Sequence, residues 1–312
     1  MSLALVTGGA GFIGAHVVRR LVNDGLDVVV VDDLSWGKLD RLAGIPRTTV
    51  LEASVLELAG IAARLSGVTH VFHLAALISA YESLEQPDRY LTTNVFGTLR
   101  VLELCKGFNQ PRVVFASTSG IYGNAESVVK RETDLPNPAT VYAATKLSCE
   151  QLLTLYRERY GFDDVSLRFF NVYGPGQSPK HPYANVTCRF SRAAAVGEAV
   201  DLYGDGAQTR DFVFIDDVVD AIVAAATKPT ASRVYNIGTG RDASIADLLS
   251  KVQELSGARL TVRKHAAWAN DIRHIRADIS LAGRELGFAP KVGLDEGLQR
   301  TIDFFRGAGR DY

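Results

Sequence analysis

The stretch Val6-Thr7-Gly8-Gly9-Ala10-Gly11-Phe12-Ile13-Gly14 decides the fold. It follows an apolar run at 3–7 and opens a helical pattern over about 12–24; a second apolar run at 28–31 then ends on Asp32. Glycines at 8, 11 and 14 have the spacing that brings backbone close to a dinucleotide pyrophosphate. Gly8 permits the tight strand-to-helix turn, Gly11 lets phosphate approach, and Gly14 lets the helix pack on the strand. Phe12 and Ile13 begin that helix, whose N-terminus presents N–H groups and partial positive charge. Asp32, followed by Asp33, places a carboxylate where ribose hydroxyls can donate to it and where a 2′-phosphate would be repelled. No Lys or Arg occurs after Asp32 until Lys38, so the reading is NAD rather than NADP. The competing reading of Asp32 is a turn residue closing a strand.

The chain has 312 residues, 47% hydrophobic and 22% charged, enough for one large core or a core with an attached lobe. A net charge of −1 supplies no basic field for nucleic acid. Cys105, Cys149 and Cys188 are widely spaced, with neither a metal pattern nor a disulfide framework, and no metal is expected. That usage fits a reducing cytoplasm. No signal-like segment and no apolar run of membrane-spanning length is expected.

Strands are expected at 3–7, 28–31, 48–51, 68–73, 112–117 and 165–170, with helices between them, including about 88–107 and 140–160. This alternation predicts an α/β fold with a parallel sheet covered on both faces, its ligands at the carboxyl ends of the strands. From about 171 the texture changes to a turn-rich loop, a strand-turn-helix element near 211–226, and helices near 245–255 and 294–305.

Tyr142 and Lys146 form Tyr-x-x-x-Lys, which shares one helix face. An ammonium beside a phenol favours phenolate, and the positive charge of oxidised nicotinamide would add to this, making a proton acceptor usable near neutral pH. Of eleven tyrosines, Tyr142 is the one followed by lysine four residues on. A short hydroxyl at a strand end should complete the set, and Ser117, Thr118 and Ser119 supply three candidates.

With these motifs the chain resembles the extended short-chain dehydrogenase/reductase family, above all its NAD-dependent nucleotide-sugar 4-epimerases of the UDP-glucose/UDP-galactose type. The resemblance runs from 3 to about 305. It is carried by the glycine loop, Asp32, His73-Leu74-Ala75-Ala76, Asn94-Val95-Phe96-Gly97-Thr98, the hydroxyl strand, Tyr142/Lys146, Arg168 through Pro175, and Gly204-Asp205-Gly206 through Phe212. It implies a Rossmann-type doubly wound parallel sheet (1–170 plus about 211–237) with a smaller interleaved C-terminal lobe for the nucleotide sugar (171–210 plus about 238–312). It implies Thr118, Tyr142 and Lys146 as the catalytic set. Ser54, Val55, Leu74, Ala75, Ala76, Asn94, Ser117 and Phe169 would join the glycine loop, Asp32 and Asp33 in binding NAD. Ser119, Asn171, Asn185, Val186, Tyr203, Arg210 and Asp271 would join Thr118 in binding substrate. The competing readings are a loop cap for Asn171 and an ion pair with Asp211 for Arg210.

The activity implied is reversible oxidation at C4: Tyr142, helped by Thr118, takes the hydroxyl proton, hydride passes to tightly bound NAD, and the 4-keto sugar turns over and is reduced on its other face. The acidic residues that family dehydratases and decarboxylases carry beside the catalytic hydroxyl are absent; Ser119-Gly120 follows Thr118 instead. Three departures are expected to matter. Ser54 stands where relatives bind adenine with Asp, Trp268 stands where many 4-epimerases have a phosphate-binding Arg, and Ile78 replaces a lysine found near the nicotinamide in some relatives. Alternatives are a 4-ketoreductase or dehydrogenase, an epimerase of a TDP-, GDP- or CDP-sugar, and a catalytically silent NAD sensor. The resemblance also implies a homodimer paired through helices matching about 90–107 and 142–160, with Leu152, Leu155 and Tyr156 as an apolar stripe; the competing reading is the core face of a monomer.

Overall fold

The computed structural model describes residues 2–124, 127–179, 184–267 and 272–308. Seven strands form one parallel sheet: β1 Leu3–Thr7, β2 Asp27–Asp32, β3 Thr48–Glu52, β4 Val68–His73, β5 Arg112–Thr118, β6 Asp163–Phe169 and β7 Val234–Ile237. Their order is β7-β6-β5-β4-β1-β2-β3, so the chain reverses direction between β1 and β4. The principal helices are α1 Phe12–Asn23, α2 Gly97–Cys105, α3 Val141–Tyr160, α4 Val186–Val196, α5 Ile215–Thr227, α6 Ile245–Ser256 and α7 Leu294–Ala308.

The strands read as unbroken apolar runs because both sheet faces are covered. Side chains alternate between faces. Ala4, Val6, Val28, Val30, Val114, Val165 and Leu167 join one core cluster with α1 and α5. Leu5, Val29, Val31, Val71, Val113 and Phe115 join another with α2 and α3. Register aligns the carboxyl ends: Thr7 pairs with Val31 and His73, and Thr118 with Phe169. A crevice at the reversal point is where open α/β sheets bind ligands.

Beyond β6 the chain leaves the sheet twice. Asn171–Tyr173 pairs with Phe212–Phe214, Val200–Tyr203 pairs with Val262–His265, and α4, α6 and α7 pack together. Between these excursions α5 and β7 return to the sheet. Asp211 fastens this arrangement. Fully buried, it accepts from the N–H and hydroxyl of Thr239 (both 2.7 Å), from Gly240 N–H (3.0 Å) and from Ala277 N–H (3.1 Å).

The single helix expected over 88–107 is instead three consecutive pieces: α-helical Pro87–Tyr90, π-helical Leu91–Phe96, then α2. The wide turn sets Asn94 inward, where its side chain accepts from Leu77 N–H (2.8 Å) and donates to Leu77 O (3.0 Å) and to Thr145 Oγ1 (3.1 Å). Leu152 and Tyr156 pack partly buried against the core, while Leu155 is 58% exposed.

Helix α1 meets the glycine loop backbone to backbone. A Cβ on Gly14 would lie 2.1 Å from Gly8 O, and backbone cannot yield as a side chain does. Gly14→Ala should therefore destabilise the fold by at least about 2 kcal/mol, seen as a lower midpoint in thermal unfolding.

Candidate active site

The glycine loop takes the tight strand-to-helix turn that its spacing predicts. Gly8 has φ +71°, and its Cβ would sit 2.7 Å from Ala75 N. Gly11 is the N-cap of α1; no side chain caps that end and no acid lies in its first turn. The helix terminus therefore opens toward an anion without internal competition. Asp32 is nearly buried; its two oxygens accept from Ala10 N–H and Leu34 N–H, both at 2.9 Å. Burial raises its pKa, and the two backbone donors pull it back. Each oxygen keeps a further lone pair for a ribose hydroxyl.

These elements line a cavity of about 890 Å³ along the carboxyl edge of the sheet. Its wall contains Gly8, Gly11, Phe12, Ile13, Gly14, Asp32, Asp33, Val55, Leu74, Ala75, Ala76, Ser117 and Phe169 on the NAD side of the expectation. It also contains Thr118, Ser119, Tyr142, Lys146, Asn171, Asn185, Val186, Tyr203 and Arg210. Ser54 and Asn94 are not on that wall. Ser54 caps the 3-10 turns of Val55–Leu65 in a capping box with Glu57, and Asn94 is 2% exposed and engaged with Leu77 and Thr145. Asp271 and Trp268 lie outside the described residues.

The three catalytic candidates come from two elements. Thr118 ends β5, and its Oγ1 accepts from Gly120 N–H at 3.1 Å. Tyr142 lies in the first turn of α3, which Thr140 caps. Hydrogen bonding with Thr118 lowers the Tyr142 pKa, yet burial outweighs it and pushes the phenol up to about 12. Lys146 donates to Ala116 O at 2.8 Å and stands 4.7 Å over the Phe115 ring; burial pushes it down to about 8. Both groups are desolvated, and the ammonium is turned onto a backbone carbonyl.

On the substrate side, Arg210 Nη1 donates to Thr209 O (2.8 Å) and Ile272 O (2.6 Å), while Asp211 points into the interior toward residues 239, 240 and 277. Asn171 donates its backbone N–H to Asp211 O at 2.9 Å. The loop cap is Asn185 instead: it accepts from Thr187 N–H (3.4 Å) at the start of α4 and donates to Val172 O (3.1 Å). Tyr203 stacks on His265 with centroids 4.9 Å apart.

Sequence reading missed several wall residues beside Asp32. Arg41 Nη1 and Nη2 donate to Ala10 O and Gly176 O, both at 3.1 Å, joining the glycine loop to the loop after Tyr173. Trp36 and Gly37 also line the cavity. A Cβ on Gly37 would fall 2.5 Å from Asp32 Oδ1; a glycine this close behind the acidic residue was the available signal.

An uncapped helix N-terminus behind a glycine loop, a carboxylate ending β2 and a Thr–Tyr–Lys set in one cleft define a nicotinamide-dinucleotide enzyme of the short-chain dehydrogenase/reductase type. The chain belongs to the NAD dependent epimerase/dehydratase family, whose model matches residues 4–238, and NAD is its cofactor. A UDP-glucose 4-epimerase of Mycolicibacterium smegmatis is 39% identical over 309 residues, covering 97% of this chain and 98% of that protein. The structure of a UDP-N-acetylglucosamine 4-epimerase from Methanobrevibacter ruminantium, in complex with UDP-N-acetylmuramic acid, superposes with a TM-score of 0.93 at 34% identity, covering 99% of each chain. A Thermus thermophilus UDP-glucose 4-epimerase complex with NAD gives 0.90 at 36% identity, covering 98% of this chain and all of that one. Relatives also include UDP-glucuronate 4-epimerases and a UDP-N-acetyl-alpha-D-glucosaminuronate decarboxylase. Among the described residues no helix is long and apolar enough to cross a membrane, and no group of His, Cys, Asp or Glu could hold a metal ion.

Gly37→Ala should displace the Asp32 carboxylate and raise the Kd for NAD at least about tenfold, measured by calorimetric titration on variant protein shown by circular dichroism to be folded. Tenfold corresponds to about 1.4 kcal/mol, less than one charge-assisted hydrogen bond can contribute.

Proposed function

We propose that this protein reversibly inverts C4 of a UDP-hexose of the UDP-glucose/UDP-galactose type through a 4-keto sugar, with NAD held tightly throughout. The observation that carries the reading is the meeting of Thr118, Tyr142 and Lys146 at the cavity beside the glycine loop, where the lining carboxylates are engaged elsewhere. Asp32 holds backbone N–H groups, Asp33 holds Ser35, Glu82 holds Arg89 and Tyr90, and Asp201 holds Arg263 and His265. Dehydration and decarboxylation call on an acidic group near the hydroxyl strand; oxidation and reduction at one carbon do not.

Bound NAD supplies the hydride acceptor and donor, together with a positive charge that favours phenolate. Tyr142 takes and returns the C4 hydroxyl proton, and Thr118 shares the hydrogen bond to that oxygen. Lys146 contributes the fixed charge. Burial holds the Tyr142 phenol up at about 12 and the Lys146 ammonium is turned toward Ala116 O, so the nicotinamide charge adds to the lysine's in favouring phenolate. Arg210 and Asn171 are placed to hold the diphosphate; an Arg fork suits phosphate because it donates two parallel hydrogen bonds. We further propose a cytoplasmic homodimer paired through the segment 91–105 and α3. Leu91, Phe96 and Leu155 leave 43%, 52% and 58% of their surface exposed there.

Proton NMR of the protein with UDP-glucose, UDP-galactose, their N-acetyl forms and UDP-glucuronate, without added cofactor, tests the reaction. A C4 epimer should form, fastest with the native sugar. Turnover only with supplied NAD or NADH would overturn epimerisation in favour of net oxidation or reduction. Tyr142→Phe should lower kcat by about a thousandfold while the purified protein retains NAD; a silent sensor would be indifferent. Light scattering should give a dimer mass, and Phe96→Asp should halve it.

A further inference from the structure

Positions 142, 146 and 150 repeat every fourth residue along α3 and share its sheet-facing side. Strand β5 meets them in turn. Thr118 faces Tyr142, Ala116 O accepts from Lys146 at 2.8 Å, and Glu150 Oε1 accepts from Ser117 Oγ at 2.6 Å. Arg168, which pairs with Ser117 in the β5–β6 register, closes the row from behind. Its Nε donates to Glu150 Oε1 (3.0 Å), its Nη2 to Glu150 Oε2 (2.7 Å) and its Nη1 to Tyr122 OH (2.9 Å). Tyr122 OH in turn donates to Asn236 Oδ1 at 2.7 Å. The Arg168 and Glu150 side chains are 6% and 7% exposed.

Stability does not explain two charges here, because well-packed apolar residues often replace a buried ion pair without loss. A carboxylate one turn beyond a buried lysine has another use. We propose that Glu150, fixed by Arg168 and Ser117, is a positioning residue: it sets the register of α3 on β5 and supplies the negative charge that keeps Lys146 an ammonium beside Tyr142. This rests on the roles given to Tyr142 and Lys146 under the proposed function.

The surroundings of Lys146 support the second part. Burial pushes the lysine down to about 8, and Cys149 and then Glu150 pull it up; burial raises the Cys149 thiol pKa, so that group is neutral near pH 7. From β4 it faces His73, held neutral by burial near 3. From β5 it faces Phe115, Ala116 and Ser117, none of them titratable. Arg168 of β6 stands beyond Glu150, and Tyr142 and Cys149 share its own helix. Within this set Glu150 carries the negative charge. Removing it lowers the lysine pKa, so the ammonium is lost at lower pH and the alkaline limb of activity moves down.

The test measures the pH midpoint of Lys146 acetylation by acetic anhydride, read by peptide mass spectrometry, beside the pH profile of kcat. E150Q alone strands a buried guanidinium and risks not folding, so the informative variant is E150Q/R168M, which removes both charges. Its midpoint and alkaline limb should fall by about one pH unit, equivalent to tenfold less ammonium at a given alkaline pH. E150D, which keeps the charge, should stay near the wild-type midpoint. A folded E150Q/R168M with an unchanged midpoint and limb would overturn the proposal and leave the pair a packing element. The labelling midpoint needs no turnover, so a protein that epimerises nothing would fail the proposed function while this result stands or falls separately.

Discussion

One buried hydrogen-bonded thread joins the two halves of the cleft. Ala75 N–H donates to Thr7 Oγ1 (3.3 Å), which is hydrogen-bonded in turn to His73 Nδ1 (2.8 Å). Thr98 Oγ1 reaches Asn94 O at 2.7 Å and is hydrogen-bonded to His73 Nε2 at 2.9 Å. Full burial keeps the ring neutral, so one of its nitrogens donates and the other accepts. The thread continues through the Asn94 amide to Leu77 and to Thr145, whose hydroxyl donates to Tyr142 O at 2.7 Å. The end of β1, the loop after β4 and the first turn of α3 are thereby held in one frame. Each buried member has a partner, which is the condition under which a polar network rigidifies rather than weakens a core.

That frame explains why a short π-helical piece interrupts a helix that reads as continuous. The wide turn carries Asn94, whose amide bonds the Leu77 backbone and whose carbonyl accepts from Thr98. Wide turns of this kind gather at functional sites, and this one trades a regular ladder for a side chain that supports the cavity wall.

What was legible in the sequence was local. The glycine spacing, the carboxylate ending β2 and Tyr-x-x-x-Lys each carry their geometry within a few residues, and the strands announce themselves because both faces are buried. Ser54 was legible differently: Ser54-Val55-Leu56-Glu57 has the spacing of a capping box, and the structure uses it so. The direction of the Lys146 ammonium was not legible, because it depends on a carbonyl thirty residues away in sequence. The same holds for Arg41, whose second partner is 135 residues distant. Asp211 reads as the neighbour of an arginine, yet its partners lie at 239, 240 and 277. Long-range polar contacts leave no periodic signature.

The place of β7 has a consequence for how the chain is made. It completes the sheet beside β6, but residues 170–233 are synthesised between the two strands. At ribosomal rates of 5–20 residues per second, the flank of β6 stays open for roughly 3–13 s after that strand emerges. An uncovered edge is a template for pairing with another chain. The nascent protein is therefore most vulnerable to misassembly before its last sheet strand arrives, when the residues of its catalytic set have already been made.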